Sequence, residues 1–108
     1  MSRIKTKTRA KKIVKKYAQK LREAGYLYSA IYLFGSHAQN KARRWSDIDV
    51  AVISDKLKEN WEENENMLWY IRRKVDSMIE PIGFTVKEFQ DNCDPMVYEI
   101  KKTGIRIV

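Results

Sequence analysis

The chain has 108 residues, with 22 Lys/Arg against 14 Asp/Glu and a net charge of +8, which is enough for one modest hydrophobic core and too short for two. No apolar run approaches the ~20 residues that span a bilayer, and the N-terminus lacks the apolar core of a signal peptide, so no membrane association and a cytoplasmic location are expected. Cys93, the one cysteine, has no disulfide partner and no Cys or His nearby at zinc-ligand spacing, which fits a reducing compartment and a structural or incidental role.

The positive charge is concentrated at one end. Residues 1–28 hold ten Lys/Arg against Glu23 alone, a net of +9, and residues 29–108 hold twelve against thirteen acids, a net of −1. Such a block meets nucleic acid, an acidic partner or simply water. Residues 1–7 offer almost nothing to bury and read as a frayed basic arm. From Thr8, a candidate N-cap, the apolar positions Ala10, Ile13, Val14, Tyr17, Leu21 and Ala24 recur at helical spacing, which predicts a basic amphipathic helix over about 8–24, with Gly25 as its stop. The apolar stripe reads as a core-packing face rather than a membrane-surface one.

Tyr28–Phe34 is rich in aromatic and β-branched residues and predicts a buried strand that delivers the chain to Gly35-Ser36. A short helical turn over Ser36–Gln39 and an exposed polar, basic loop over Asn40–Ser46 follow. Asp47–Ser54 reads as a second, central strand, because Val50-Ala51-Val52-Ile53 is apolar on both faces. A helix is predicted from Trp61 to Met78, with Trp61, Leu68, Ile71, Val75 and Met78 on its buried side. Its acids Glu62, Glu63 and Glu65 precede its bases Arg72, Arg73 and Lys74, as a helix dipole favours, so that acid cluster is not read as a metal site.

Ile79–Val86 reads as a third strand, at an edge because Pro81 cannot donate to a ladder. Glu80 stands there among Ile79, Ile82 and Phe84, either as a carboxylate in want of a cation or as an exposed edge residue; Asp76 is a weaker candidate for the same role. Lys87–Asn92 reads as a short helical turn, and Asp94 as the N-cap of a last helix that starts at Pro95 and stops at Gly104. Ile105–Val108 closes as a short strand or extended tail. The expected fold is α/β (α+β), a small mixed sheet of three to four strands flanked by helices, in a single domain over 1–108.

The chemistry lies between the first two strands. Successive side chains of a strand point to opposite faces, so Asp47 and Asp49 share one face, where two carboxylates repel unless a cation sits between them. The Gly35-Ser36 turn brings backbone N–H groups and a hydroxyl to phosphate oxygens. Together these point to a site for a metal-bound nucleotide.

Leu33-Phe34-Gly35-Ser36 followed by Ser46-Asp47-Ile48-Asp49-Val50-Ala51-Val52 resembles the minimal nucleotidyltransferases of the DNA polymerase beta-like superfamily, supported by Ile79-Glu80-Pro81-Ile82-Gly83-Phe84 and by Glu99-Ile100-Lys101-Lys102-Thr103-Gly104-Ile105. The resemblance covers about residues 28–108 and implies the nucleotidyltransferase fold. It also implies that Asp47 and Asp49 coordinate Mg²⁺, two ions in all, with Glu80 as the third metal-binding and catalytic carboxylate. Gly35 and Ser36 would hold the triphosphate of ATP or another NTP, with Ser46, His37, Arg43 and Arg44 as further nucleotide contacts. Many relatives have Arg-Ala-Arg-Gly after Gly-Ser; here the positions read His37-Ala38-Gln39-Asn40. Asn40 still suits the left-handed turn of the glycine, but two positive side chains are missing, and Arg43 or Arg44 stands near enough in sequence to replace them.

Family members are commonly paired with a helical HEPN-type ribonuclease toxin and act as its antitoxin by transferring AMP to it. The resemblance thus implies a protein adenylyltransferase, with Trp45, Trp61, Trp69 and Tyr70 as interface candidates. Core packing is the other reading of these aromatics, favoured for Trp61 and left open for Trp45. Two further readings stand beside it: a non-catalytic antitoxin that masks its partner by contact, and an RNA nucleotidyltransferase guided by Lys11, Lys12, Lys15 and Lys16. The sequence leaves a homo-oligomer open.

Overall fold

The elements run α1 (Arg3–Glu23), β1 (Ala30–Phe34), β2 (Ile48–Ile53), α2 (Trp61–Arg72), β3 (Ile79–Phe84), α3 (Val86–Phe89), α4 (Pro95–Thr103) and β4 (Ile105–Arg106). The computed structural model describes the backbone of residues 3–108 and the side chains from Thr6 onward. The strands form one mixed sheet in the order β3-β2-β1-β4. β1 is antiparallel to both β2 and β4, whereas β3 lies parallel to β2. A parallel neighbour needs a crossover, and α2 supplies it.

Alternation along the strands divides the core in two. Ile31 and Leu33, Val50 and Val52, and Ile79 point to the face covered by α1 and α2, where Val14, Tyr17, Leu21, Leu68 and Ile71 are buried. Ala30, Ala51, Ile53 and Phe84 point to the other face, against Phe89, Val97 and Ile100 of α3 and α4. One buried polar bond ties the two helices of the first face together: the Tyr17 hydroxyl donates to the Leu68 carbonyl at 2.8 Å.

Several boundaries differ from the sequence reading. α1 begins at Arg3, so residues 3–7 belong to the helix and Thr8 lies inside it rather than capping it; Met1 and Ser2 lie outside the described residues. Thr6 stands four residues before Ala10, on the same apolar stripe, which is the signal for the earlier start. Gly25 does end the helix, at φ +79°, with the Tyr26 and Gly25 amides donating to the Leu21 and Arg22 carbonyls.

α2 stops at Arg72, not Met78. The amides of Lys74 and Val75 reach back three residues rather than four, tightening the last turn, and the Asp76 carboxylate accepts from the Met78 amide at 2.8 Å. Val75 and Met78 still pack on the core, which is why the period ran past the end of the helix. Trp61, expected inside, is 45% exposed.

Pro81 sits on the edge strand, as its missing donor requires. The Ser54 and Ile48 amides bond the Phe84 and Met78 carbonyls, so even-numbered residues of β3 turn their backbone toward β2 and Pro81 turns its own outward. α2 guards that edge, since the Arg72 guanidinium donates to the Ser77 and Ile79 carbonyls. α4 starts at Pro95 with Asp94 as N-cap, as read from the sequence, and β4 pairs with β1 as a fourth, two-residue strand.

Candidate active site

β1 ends in Phe34, and the chain leaves it through a single 3-10 turn over Gly35–His37. Gly35 takes φ +73°, a left-handed conformation that side chains resist. A second constraint acts at the same atom. A methyl group built on Gly35 would collide with the Asp49 carboxylate, with Cγ at 3.1 Å. The turn and the aspartate therefore approach as closely as they do only because residue 35 has no side chain.

Asp49 is the register partner of Phe34 on one side and of Glu80 on the other. Partners in a parallel pair put their side chains on the same face, so Asp49 and Glu80 stand side by side; Asp47, read from the sequence as the first residue of the strand, lies just ahead of its start at Ile48. The electrostatics agree with this placement. Burial first, then Glu80, then Asp47 push the Asp49 carboxyl up to about 6, and His37 acts the other way. Asp49 thus feels both other acids at one end of the sheet, where Asp47 and Glu80 are exposed and Asp49 is half-buried. Among the described residues no three His, Cys, Asp or Glu side chains stand close enough to hold an ion as they are. The chemistry of the three groups nevertheless fits a hard divalent cation, because all are carboxylates and the charge that Glu80 and Asp47 press on Asp49 is what such a cation would offset.

The loop between Gly35 and Asp47 is braced from within. His37 is only 5% exposed, and its Nε2 donates to the Ser46 carbonyl, which can only accept, at 3.1 Å. Its ring is therefore turned into the loop rather than held out from it, and it clamps the Gly35-Ser36 turn to the start of β2. Its Nδ1 is buried without a partner. The Ser46 hydroxyl accepts from the Arg43 amide at 2.9 Å, which closes the turn before Asp47. Asn40 takes φ +59°, the left-handed conformation expected of it.

Arg43 and Arg44 are exposed, and Arg43 lies over the ring of Trp45 at 5.9 Å. Trp45 itself is 69% exposed. The structure thus sets Gly35 against Asp49 and pairs Asp49 with Glu80, leaves Asp47 just ahead of the strand, and buries the His37 ring. Asp76 is engaged in its own turn and takes no part. Thr6 and Lys7, read from sequence as a loose arm, line a narrow cleft with His37, Asn40 and Ala42. The start of α1 therefore abuts the site loop.

A strand, a glycine turn and a second strand with two carboxylates at its start, with a third acid from a parallel neighbour, define a nucleotidyl-transfer domain. The sequence model of the family described as Polymerase beta, Nucleotidyltransferase matches residues 11–108. The chain belongs to that nucleotidyltransferase family, and the resemblance read from its motifs holds at that level. Among solved structures, a candidate nucleotidyltransferase from Sulfolobus solfataricus, determined at 1.40 Å, is similar in fold with a TM-score of 0.71 and 19% identity, over 98% of this chain and 86% of that one. No curated protein sequence matches. No helix among the described residues is long and apolar enough to cross a membrane.

Proposed function

We propose that this domain transfers a nucleoside monophosphate, AMP from ATP, to a hydroxyl group of a partner protein, and that the partner is a helical HEPN-type toxin neutralised by the modification. The observation that carries the chemistry is the pairing of Asp49 with Glu80, with Asp47 just ahead of the strand, against a Gly35 whose missing side chain leaves room for the carboxylate.

Asp47 and Asp49 would hold divalent metal, Mg²⁺ by the hardness of their oxygens, with Glu80 beside them. Bound there, such ions would supply charge neutralisation on the phosphate oxygens and a template for in-line transfer. The turn after β1 contributes the Ser36 hydroxyl and leading amides that a 3-10 turn leaves without internal acceptors. The acceptor oxygen forms a bond to the α-phosphorus as the bond from that phosphorus to its bridging oxygen breaks. Pyrophosphate leaves, and the exposed Glu80 carboxylate takes the acceptor's proton and passes it to water. His37 and Ser46 act indirectly by fixing the distance between the two strand ends.

Support for a protein acceptor comes from α2, which exposes Met67, Trp69 and Tyr70, the residue types that anchor protein interfaces. The test incubates the protein with ATP, Mg²⁺ and the product of the neighbouring gene. A mass gain of one AMP on the partner, lost in Asp47→Ala, is the expected result. An unmodified partner in the presence of bound ATP refutes protein adenylylation, and inhibition that survives Asp47→Ala marks a contact-only antitoxin.

A further inference from the structure

We propose that α1 and the loop after Gly35-Ser36 form one surface that binds the phosphodiester backbone of a single-stranded nucleic acid, whatever the acceptor of the transfer reaction. The first observation is the one-signed face of α1. Its buried arc is Ala10, Val14, Tyr17, Ala18 and Leu21. The exposed arc is cationic along its whole length. Lys7, Lys11 and Lys15 follow at four-residue steps, and Lys12, Lys16 and Lys20 form the next row, interrupted among the described residues by a single ion pair, Lys20 with Glu23 at 3.5 Å.

A merely solvated face needs no such bias. Like charges four residues apart weaken a helix, and α1 has no acid in its first turn to meet the positive end of its dipole. α2 of the same chain shows the alternative, with Glu62 and Glu63 at its start and Arg72 at its end. A row of cations that costs helix stability and, Lys20 apart, has no acidic partner among the described residues is complementary to a polyanion.

The second observation sets where this face leads. The cleft lined by Thr6, Lys7, His37, Asn40 and Ala42 joins the first turn of α1 to the site loop. That loop continues the charge with exposed Lys41, Arg43 and Arg44 and ends in Trp45, an aromatic platform in open solvent two residues before Asp47. A basic track with an exposed aromatic at one end has the means to bind a single strand, since phosphates meet the cations and a base stacks on the ring. A duplex, an anionic membrane or an acidic protein would engage the lysines but has no unstacked base to offer Trp45.

The experiment titrates the full chain into a labelled mixed-sequence 20-nucleotide RNA, without ATP or Mg²⁺, so that the result is independent of catalysis. With roughly five phosphates neutralised, log Kd should change with log salt at a slope near 3.5 in magnitude, or about a hundredfold weaker binding at 200 mM than at 50 mM salt. Replacing Lys11, Lys12, Lys15 and Lys16 by Gln should lower that slope by about 3, and the set of four Lys→Arg changes should keep it. The Gln variant should melt no lower than the parent, having lost like-charge repulsion, and the Arg set covers the case in which it does not. Tryptophan quenching on binding should disappear in Trp45→Phe. The proposal is overturned if RNA does not bind at 50 mM salt, if the Gln variant binds as the parent does, or if duplex RNA, phosphatidylserine vesicles or polyglutamate bind equally well with no Trp45 quenching.

Discussion

Gly35→Ala tests the geometry at the centre of the site without any ligand. Two penalties apply there, and they are separable. A φ of +73° costs an L side chain about 1–2 kcal/mol. The new methyl group also meets the Asp49 carboxylate, with Cγ at 3.1 Å and Cβ at 3.4 Å, and overpacking of this kind costs about 1–3 kcal/mol. The atoms met first belong to the far end of the Asp49 side chain rather than to backbone, and a carboxylate can turn about its own side-chain bonds, so we take the lower part of that range, about 1–2 kcal/mol. In an Asp49→Ala background the carboxylate is gone and the remaining 3.4 Å contact is ordinary, so only the backbone penalty survives. Stability changes that arise in the unfolded chain appear in both backgrounds and cancel. Urea denaturation of the four proteins in a double-mutant cycle should therefore give a coupling energy of about 1–2 kcal/mol. If Gly35→Ala costs the same with and without the Asp49 carboxylate, the close approach on which the site is built is wrong.

Three further outcomes follow from single contacts. Tyr17→Phe removes the buried bond to Leu68 and should cost about 1 kcal/mol, read as a lower urea midpoint with unchanged slope. His37→Ala should raise amide exchange across residues 38–46 and destabilise by about 2 kcal/mol, since it loses both the bond to Ser46 and a buried ring; unchanged exchange would show that the loop does not need its clamp. Glu65 gives a pH dependence: burial raises its carboxyl above the usual range, opposed by Trp69 and the Gly83 amide. The folded form therefore prefers the protonated acid, and this contribution is full below the unfolded pKa and lost as pH rises through the folded one. Glu65→Gln should accordingly gain in melting temperature relative to the parent between pH 4 and pH 7, and a gain that does not grow with pH would count against the assignment.

The parts of the fold that were legible in the sequence are those set by local rules. Alternation placed Asp49 on the face opposite Ile48 and Val50, Pro81 marked the edge, and Asp94-Pro95 opened the last helix. Register is different in kind. Asp49 and Glu80 lie thirty-one residues apart in the chain, and their pairing follows from how α2 returns the chain to the sheet, which no local pattern specifies. Trp61 shows a related limit, for periodicity gives the side of a helix that faces inward but not how far along the axis the neighbouring layer extends. His37 was illegible for a simpler reason: a lone histidine after a glycine turn carries no period, and its burial depends on a loop closing over it.

The position of the site follows from the same alternation that builds the core. Asp49 and Glu80 share a sheet face with Ala51, Ile53 and Phe84, the residues that α3 and α4 cover. A carboxylate cannot be buried under those helices without a partner, so on this face the acids are tolerated only where the helices stop. That point is the end of β1 at Phe34, where the chain must turn in any case, and the turn is made by the one residue type that leaves room for a carboxylate against it. Core, turn and site thus constrain one another: moving Asp49 two residues further along its strand would place it at the fully buried position of Ala51, in the core.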